Sequence, residues 1–281
     1  MCELLALSTS QPARLTFSLH TLASRGGAIG TTHDGWGVAF YQGEDVALFR
    51  EPLAAGGSPL VRYLETQGPS THLAISHIRH ATRGDVSFQN TQPFVRELGG
   101  GTHVFAHNGD LPGIESCKTL TLGAYRPVGQ TDSEYAFCTL MERLRSIWDT
   151  AVPPALAARF SLLTSFAADL RALGPANFLY ADGDTLFAHG HTRLQPASGR
   201  ASPPGLWMLQ RHCPPAEPTP AHEVGVAIAQ EERHALLIAS VPLTDEAWQP
   251  LAEGELVAVR RGALLATRGD ATVAVTPSTN K

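Results

Sequence analysis

The sequence predicts an α+β fold, because strand-like segments come first, two long helical segments follow, and strand-like segments then resume. The strand-like segments are short apolar runs, rich in Val, Phe, Tyr and Leu, that end at glycine or charged residues. The helical segments, at 132–148 and 154–173, carry apolar side chains at helical spacing, such as Phe160, Leu163 and Phe166. Two consecutive helices after a run of strands indicate one packed helical layer.

Five strands and one short helix are predicted ahead of the long helices. In the strand at 73–79, alternation places Leu73, Ile75, His77 and Arg79 on one face, so its end is polar where a buried face would be apolar. The other predicted strands lie at 2–8, 35–42, 45–50 and 102–106, and the helix lies at 59–67.

Further strands are predicted after the helices, at 177–181, 185–189, 223–229, 235–241, 255–260 and 263–267. Stretches rich in Pro and Gly at 196–205 and 214–220 interrupt this set. We interpret them as surface loops within one domain, because the flanking segments are too short to form separate cores. The sequence therefore predicts a single domain over residues 1–268, followed by a disordered tail of small and polar residues at 269–281.

Composition excludes several classes of protein. The formal net charge of -5 comes from mixed signs without long runs, which argues against nucleic-acid partners and a basic membrane-binding face. No apolar stretch approaches the ~18–20 residues that span a bilayer, and the N-terminus does not resemble a signal peptide, so we expect a cytoplasmic protein. Cys117, Cys138 and Cys213 are too widely separated for a zinc ribbon or a disulfide framework.

Twelve histidines make a metal site a hypothesis to weigh. His103 and His107 are four residues apart, but in a β-rich segment that spacing does not bring two ligands together. His189 and His191 could share a strand face, yet no nearby acid or cysteine completes a set of ligands. We therefore expect neither a metal nor another cofactor.

The second residue is a cysteine, and it gives the strongest indication of chemistry. Removal of Met1, which is usual before a small side chain, would leave Cys2 with a thiol and a free α-amino group. An α-amine titrates near ~7.7–8.0, so it can take the thiol proton at neutral pH without a separate histidine. The alternative is that Cys2 is a small buried hydrophobic residue at the start of a core strand.

Asn108-Gly109 follows a predicted strand and admits two interpretations. Asn-Gly is a strong signal for a tight turn. An Asn amide and a Gly N–H are also well suited to stabilise the oxyanion that forms when a thiolate attacks an amide. The segment Asp34-Gly35-Trp36-Gly37 similarly predicts a turn into a strand, with Trp36 either in the core or in a pocket wall.

Two further segments carry groups that suit an α-amino acid. Arg79 is either a surface arginine at the end of a strand or, through its planar guanidinium, a bidentate partner for a carboxylate. Thr131 and Glu134 have the spacing of a capping box. If Thr131 caps the helix, Asp132 lies in its first turn, free to point outward and accept hydrogen bonds from a substrate ammonium. With Cys2, this set fits an α-amino acid whose side chain ends in an amide.

These motifs resemble those of the class II glutamine amidotransferases, which belong to the N-terminal-nucleophile (Ntn) hydrolase superfamily. The resemblance rests on Cys2 and on segments 77–84, 90–94, 107–109 and 131–134, which occur in the family's order and spacing. The Cys-Glu-Leu-Leu opening and the Asp-Gly-Trp-Gly segment resemble the stand-alone YafJ-type members in particular. The resemblance implies a four-layer αββα sandwich of two mainly antiparallel sheets.

The resemblance also implies roles for individual residues. Cys2 would be the nucleophile, and Asn108 with the Gly109 amide would form the oxyanion hole. The residues implied to contact the rest of the substrate are Arg79 and Thr82 for the α-carboxylate, Asp132 for the α-ammonium, and Trp36 and His80 for the pocket wall.

The implied reaction is cleavage of the γ-amide of glutamine or a γ-glutamyl amide through a Cys2 thioester, releasing glutamate and ammonia or an amine. The motifs and the second set of strands take up nearly all 281 residues, so we expect a hydrolase rather than an enzyme with its own acceptor domain. One alternative is a glutaminase subunit that delivers ammonia to a separate synthase. The others are a non-catalytic glutamine-binding regulatory protein and a metal-dependent amidohydrolase that uses the paired histidines.

Overall fold

Strands outnumber helices in the computed structural model, which describes residues 2–15, 22, 33–148, 150–196, 198–213, 226–227, 233–269 and 272–275. The strands in this part of the chain are β1 (Glu3–Leu15), β2 (Trp36–Gln42), β3 (Asp45–Glu51), β4 (Thr71–Ile78), β5 (Phe94–Leu98), β6 (Gly101–Gly109), β7 (Ala176–Ala181), β8 (Leu186–His189), β9 (Arg193–Gln195), β10 (Arg200–Ser202), β11 (Trp207–Cys213), β12 (Val226–Ala227), β13 (Arg233–Ala239), β14 (Gln249–Pro250), β15 (Leu256–Arg260), β16 (Ala263–Gly269) and β17 (Thr272–Val275). The α-helices described are α1 (Pro59–Gln67), α2 (Asp132–Arg145) and α3 (Leu156–Arg171).

The strands form two large antiparallel sheets and one small hairpin. The first sheet has the order β14-β11-β13-β1-β4-β2-β3, and β12 also pairs with β1. The second has the order β17-β16-β15-β8-β7-β6-β5, while β9 and β10 pair only with each other among the described strands. The N-terminal strand β1 therefore lies inside the first sheet, between β13 and β4.

The two sheets stack face to face, and helices cover both outer faces. Alternate residues of β1 divide between two cores, with Leu4 buried between the sheets and Leu5 buried on the α1 side. On the other outer face, Phe137 of α2 stacks on Phe105 of β6 with ring centroids 5.3 Å apart. The layers thus run helix, sheet, sheet, helix, which confirms the predicted α+β, four-layer αββα sandwich.

Helix α2 begins where its capping residue predicts. The Thr131 hydroxyl accepts a hydrogen bond from the Glu134 N–H at 3.2 Å. The Glu134 carboxylate does not complete a capping box, because it accepts from the Val128 and Gly129 N–H groups instead. The helix ends at Arg145, three residues before the predicted end.

The structure differs from the sequence-based prediction mainly in short or polar strands. The predicted strand at 2–8 continues to Leu15 after a register shift between Ser8 and Ala13. The strands β5, β11 and β14 were not predicted, and the stretch at 196–205 contributes β10 to a hairpin. Thr272–Val275 forms β17, which pairs with β16, whereas the sequence predicted a disordered tail there. The stretch at 214–220 and most of the predicted strand at 223–229 lie outside the described residues.

Candidate active site

Cys2 lies at the first residue of the described chain, directly ahead of β1 and beside the end of β4. Its Sγ atom accepts a hydrogen bond from the His80 N–H at 3.2 Å and lies 3.4 Å from the His80 carbonyl oxygen. Burial raises the pKa of the Cys2 thiol, and the His80 N–H opposes that shift. The thiol is therefore protonated at neutral pH and needs a base when it attacks a substrate.

Asn108, which lies on β6 of the second sheet, contacts Cys2. Its Nδ2 donates a hydrogen bond to the Cys2 carbonyl oxygen at 2.6 Å, and the side chain is buried. A primary amide has two N–H donors, so this contact leaves one donor for a bound molecule. The amide is thus held next to the residue that carries the thiol.

Gly109 occupies a position where only glycine fits. A Cβ atom there would lie 1.8 Å from the Pro175 carbonyl oxygen, which is backbone and cannot swing away. Asn108 and Gly109 both belong to β6, where they pair with Asn177 and Ala176 of β7. The tight-turn interpretation of Asn-Gly is therefore wrong, and close packing of two backbones explains the glycine.

A cavity of about 320 Å³ opens at this point, where the ends of interior strands of the two sheets meet. The first sheet contributes Cys2 and the residues that follow β4. The second sheet and the β9–β10 hairpin contribute the opposite wall. The lining residues are Cys2, His80, Thr82, Asn108, Gly109, Asp110, Pro175, Asn177, Thr192, Arg193 and Leu194. Cys2, Asn108, Gly109, Thr82 and His80, all predicted site residues, thus meet around one cavity.

Arg79 does not line the cavity. Its guanidinium donates to the carbonyl oxygens of Asp34, Arg83, Gly84 and Asp85 at 2.9–3.4 Å. Burial lowers the pKa of Arg79, and the nearby Cys2, Asp34 and Asp85 oppose that shift. In this conformation Arg79 therefore folds the loop that carries Thr82, rather than facing the cavity as a carboxylate clamp would.

Asp132 does not line the cavity either. It is 6% exposed, and its Oδ2 accepts from the Leu111 N–H at 2.8 Å while Oδ1 accepts from the Ser133 N–H at 2.7 Å. The expectation that it points outward is therefore wrong in this structure. Because Leu111 follows Asp110, the carboxylate fixes the backbone just beyond the Asn108-Gly109 segment.

Trp36 lies away from the cavity, in the core between the first sheet and α1. Its indole N–H donates to the Glu51 carboxylate at 2.9 Å, so the pocket-wall interpretation is wrong and the core interpretation fits. His80 does line the cavity. The residue after it, Ala81, is held in place because its N–H donates a hydrogen bond to the Asp34 carboxylate at 2.7 Å.

Sequence reasoning missed part of the lining. Asp110 directly follows the Asn-Gly pair, and that position could have indicated it. Asn177, Arg193 and Leu194 carry no recognisable motif, and only the antiparallel pairing of β6 with β7 brings the first of them to the cavity.

Four of the paired histidines, His77, His103, His107 and His189, are buried. Burial, together with the nearby His107 and Arg79, lowers the pKa of His77 to about 3. The His107 ring contacts the Ser133 hydroxyl through Nδ1 at 2.9 Å. Among the residues that the structure describes, no group of three or more His, Cys, Asp or Glu side chains is arranged to hold a metal ion.

The chain matches the family model for class II glutamine amidotransferases over residues 1–281. This protein belongs to the class II glutamine amidotransferases. Among the relatives of this amidotransferase is the Escherichia coli (strain K12) protein named "Putative glutamine amidotransferase YafJ", 37% identical over 259 residues, which are 91% of this chain and 96% of the relative. An uncharacterised protein of Methanocaldococcus jannaschii is 32% identical over 273 residues, 94% of this chain and 71% of its own length.

Solved structures agree with this assignment. The amidotransferase chain is similar to the crystal structure of a protein described as a predicted glutamine amidotransferase from Pseudomonas aeruginosa, with a TM-score of 0.68, 34% identity, and coverage of 94% of this chain and 100% of that one. Glutamine phosphoribosylpyrophosphate amidotransferase from B. subtilis shares the fold alone, with a TM-score of 0.53, 16% identity, and coverage of 94% of this chain and 48% of that one. The predicted Ntn-hydrolase fold is therefore confirmed.

In the part of the chain that the structure describes, no helix of this amidotransferase is long and apolar enough to cross a bilayer.

Proposed function

We propose that this amidotransferase cleaves the γ-amide of glutamine or of a γ-glutamyl amide, with Cys2 as the nucleophile. The observation that carries the proposal is the juxtaposition of the Cys2 thiol, the Asn108 amide and Gly109 around one cavity. A nucleophile next to preorganised N–H donors is the arrangement that acyl transfer requires.

The proposed mechanism needs a base, because burial keeps the Cys2 thiol protonated. Removal of Met1 would free the Cys2 α-amine, which takes the thiol proton as Sγ attacks the γ-carbonyl carbon. The negative charge on the former carbonyl oxygen is stabilised by the Gly109 N–H and the free N–H of the Asn108 amide. The α-ammonium then protonates the departing nitrogen as the C–N bond breaks, leaving a γ-glutamyl thioester on Cys2.

Water completes the proposed cycle. It attacks the thioester carbon with the α-amine as base, the C–S bond breaks, and the thiol regains its proton as glutamate leaves. Thr82 and Asp110 are exposed residues of the cavity lining, and we propose that they contact the amino-acid end of the substrate. If Arg79 and Asp132 take part, as the family resemblance implies, each contacts the substrate in addition to, or in place of, its backbone partners.

The ammonia or amine is proposed to leave into solution. In support, exposed residues such as Thr82 and Asp110 line the cavity, so a released amine has a path to solvent. Longer relatives exist, such as an amidophosphoribosyltransferase of Methanothermobacter thermautotrophicus, of which this chain spans 27%. Delivery of ammonia to a synthase on another chain is the alternative.

Purified protein supplied with glutamine or a γ-glutamyl amide should release glutamate, and Cys2→Ala should abolish the release. Cys117→Ala is the matched control, because Cys117 is another thiol of the chain, lies outside the cavity and should not affect turnover. Equal rates for wild type and Cys2→Ala would reject the thiol mechanism. Ligand binding without any turnover would favour the regulatory-protein alternative.

A further inference from the structure

Asn177 is a buried side chain of the cavity that neither the sequence motifs nor the proposed mechanism uses. It lies on β7 directly opposite Asn108 of β6 in the ladder register. The residue is 0% exposed, although the cavity borders it. Buried amides are retained where their hydrogen bonds are satisfied, so the partners of Asn177 indicate its role.

The Asn177 amide joins the end of β6 to the segment before β9. Its Nδ2 donates to the Asn108 carbonyl oxygen at 3.2 Å and to the Thr192 carbonyl oxygen at 2.8 Å. Its Oδ1 accepts from the His191 N–H at 2.7 Å. Both donors of the amide are therefore used, and these three contacts fix the orientation of the side chain.

A third segment packs against the same amide. A Cβ atom at Gly205 would lie 1.7 Å from Asn177 Oδ1, so the backbone after β10 approaches the amide as closely as glycine allows. Thr192 precedes β9 and Gly205 follows β10, so both ends of the hairpin meet at Asn177. The hairpin in turn supplies Arg193 and Leu194 to the cavity wall.

The hydrogen bond from Asn177 to Asn108 is made to the peptide group that supplies the Gly109 N–H to the proposed oxyanion hole. The Asn108 carbonyl and the Gly109 N–H belong to one planar peptide group and point in opposite directions. A hydrogen bond that holds the carbonyl therefore also sets the direction of the Gly109 N–H. We propose that Asn177 is a positioning residue that orients the Gly109 N–H of the oxyanion hole through the Asn108 carbonyl. This inference rests on the proposed function, because that function makes the Gly109 N–H an oxyanion donor.

The test compares Asn177→Ala with Gln195→Ala. The Gln195 amide also donates to two backbone carbonyls, those of Ser202 at 2.8 Å and Pro204 at 3.0 Å, and it holds the same hairpin without contacting Asn108. Asn177→Ala should lower kcat by about 10- to 100-fold with KM changed less than about threefold, as expected when a donor is misaligned in the transition state. Gln195→Ala should stay within about threefold of wild type. Equal losses in both variants, or no loss in Asn177→Ala, would overturn the inference.

A second variant shows whether the loss of activity comes from misfolding. A second readout tests the inference independently of the proposed function. Asn177→Asp keeps the side-chain shape and the acceptor for His191 but loses both donors, so it should show the same loss in kcat. Hydrogen exchange of the Gly109 N–H should be at least about tenfold faster in the Asn177 variants than in Gln195→Ala, whether or not the wild type releases glutamate. Unchanged exchange would reject the positioning role, whereas a wild type inactive on every amide would reject the proposed function alone.

Discussion

Replacing Gly109 by alanine is the substitution whose effect the structure specifies most closely. The new Cβ would lie 1.8 Å from the Pro175 carbonyl oxygen, and an ordinary contact begins near 3.4 Å, so one of the two backbones must move by about 1.6 Å. Because β6 and β7 are paired at this point, that movement displaces the Gly109 N–H and the adjacent Asn108. A displacement of about 1 Å at a reacting site costs about 100-fold in rate, so kcat should fall at least 100-fold.

The matched control is Gly101→Ala, at the other end of the same strand. A Cβ there would meet its nearest atom, the Leu98 carbonyl oxygen, at 3.8 Å, which is an ordinary contact. Steady-state glutamate release gives kcat for both variants, and thermal melting reports whether each is folded. A folded Gly109→Ala protein with kcat within threefold of wild type would refute the assignment of this backbone to the reaction.

Three further predictions follow from the same geometry. Asn108→Leu removes the amide that contacts Cys2 and should lower kcat by about 10²- to 10³-fold in steady-state assays, and an unchanged kcat would contradict its role. Arg79→Lys cannot reach the carbonyls at 83–85 together, so hydrogen exchange there should accelerate and KM should rise, and unaltered exchange would contradict the bracing role. His77 and His189 have a pKa of about 3 when folded, but unfolded histidine binds a proton below pH ~6.5, so stability is lost as pH falls through that value. Denaturant titration should show a loss of roughly 2 kcal/mol per histidine between pH 6.5 and 5, and stability that does not fall over this range would contradict their burial as neutral groups.

Much of the fold could be predicted because burial imposes a period on the sequence. The strand at 73–79 places alternate residues on opposite faces, and Leu73 and Ile75 indeed lie between the sheets, while Ala74 and Ile78 lie in the core on the α1 side. Helix α1 has its predicted bounds, and in the structure the Ser58 side chain caps it while Pro59 occupies its first turn. Strands such as β11 could not be predicted from an apolar pattern, since charged and polar residues such as Arg211 lie among its apolar ones.

The site was only partly predictable, for a related reason. Residues whose chemistry shows in their type and spacing, such as Cys2, Asn108 and Thr82, do line the cavity. The orientation of a side chain depends on partners that are distant in sequence. Arg79 and Asp132 are the residue types that suit a carboxylate and an ammonium. In this conformation, however, the Arg79 guanidinium donates to loop carbonyls, and the Asp132 carboxylate accepts from the Leu111 N–H. Asn177 acquires its role from strand pairing alone.

The central claim is that Cys2, freed of Met1, is the nucleophile of a γ-glutamyl pocket. The most direct measurement is the intact mass of the purified protein before and after reaction with a glutamine-shaped electrophile, followed by peptide mapping. Cys117 is the internal competitor, because hydrogen bonding to Thr119 lowers the pKa of its thiol and the residue is partly exposed. We predict a chain without Met1 that gains one adduct, located on Cys2, with glutamate release lost in proportion. An adduct on Cys117 instead, or full activity in a chain that retains Met1, would contradict the claim.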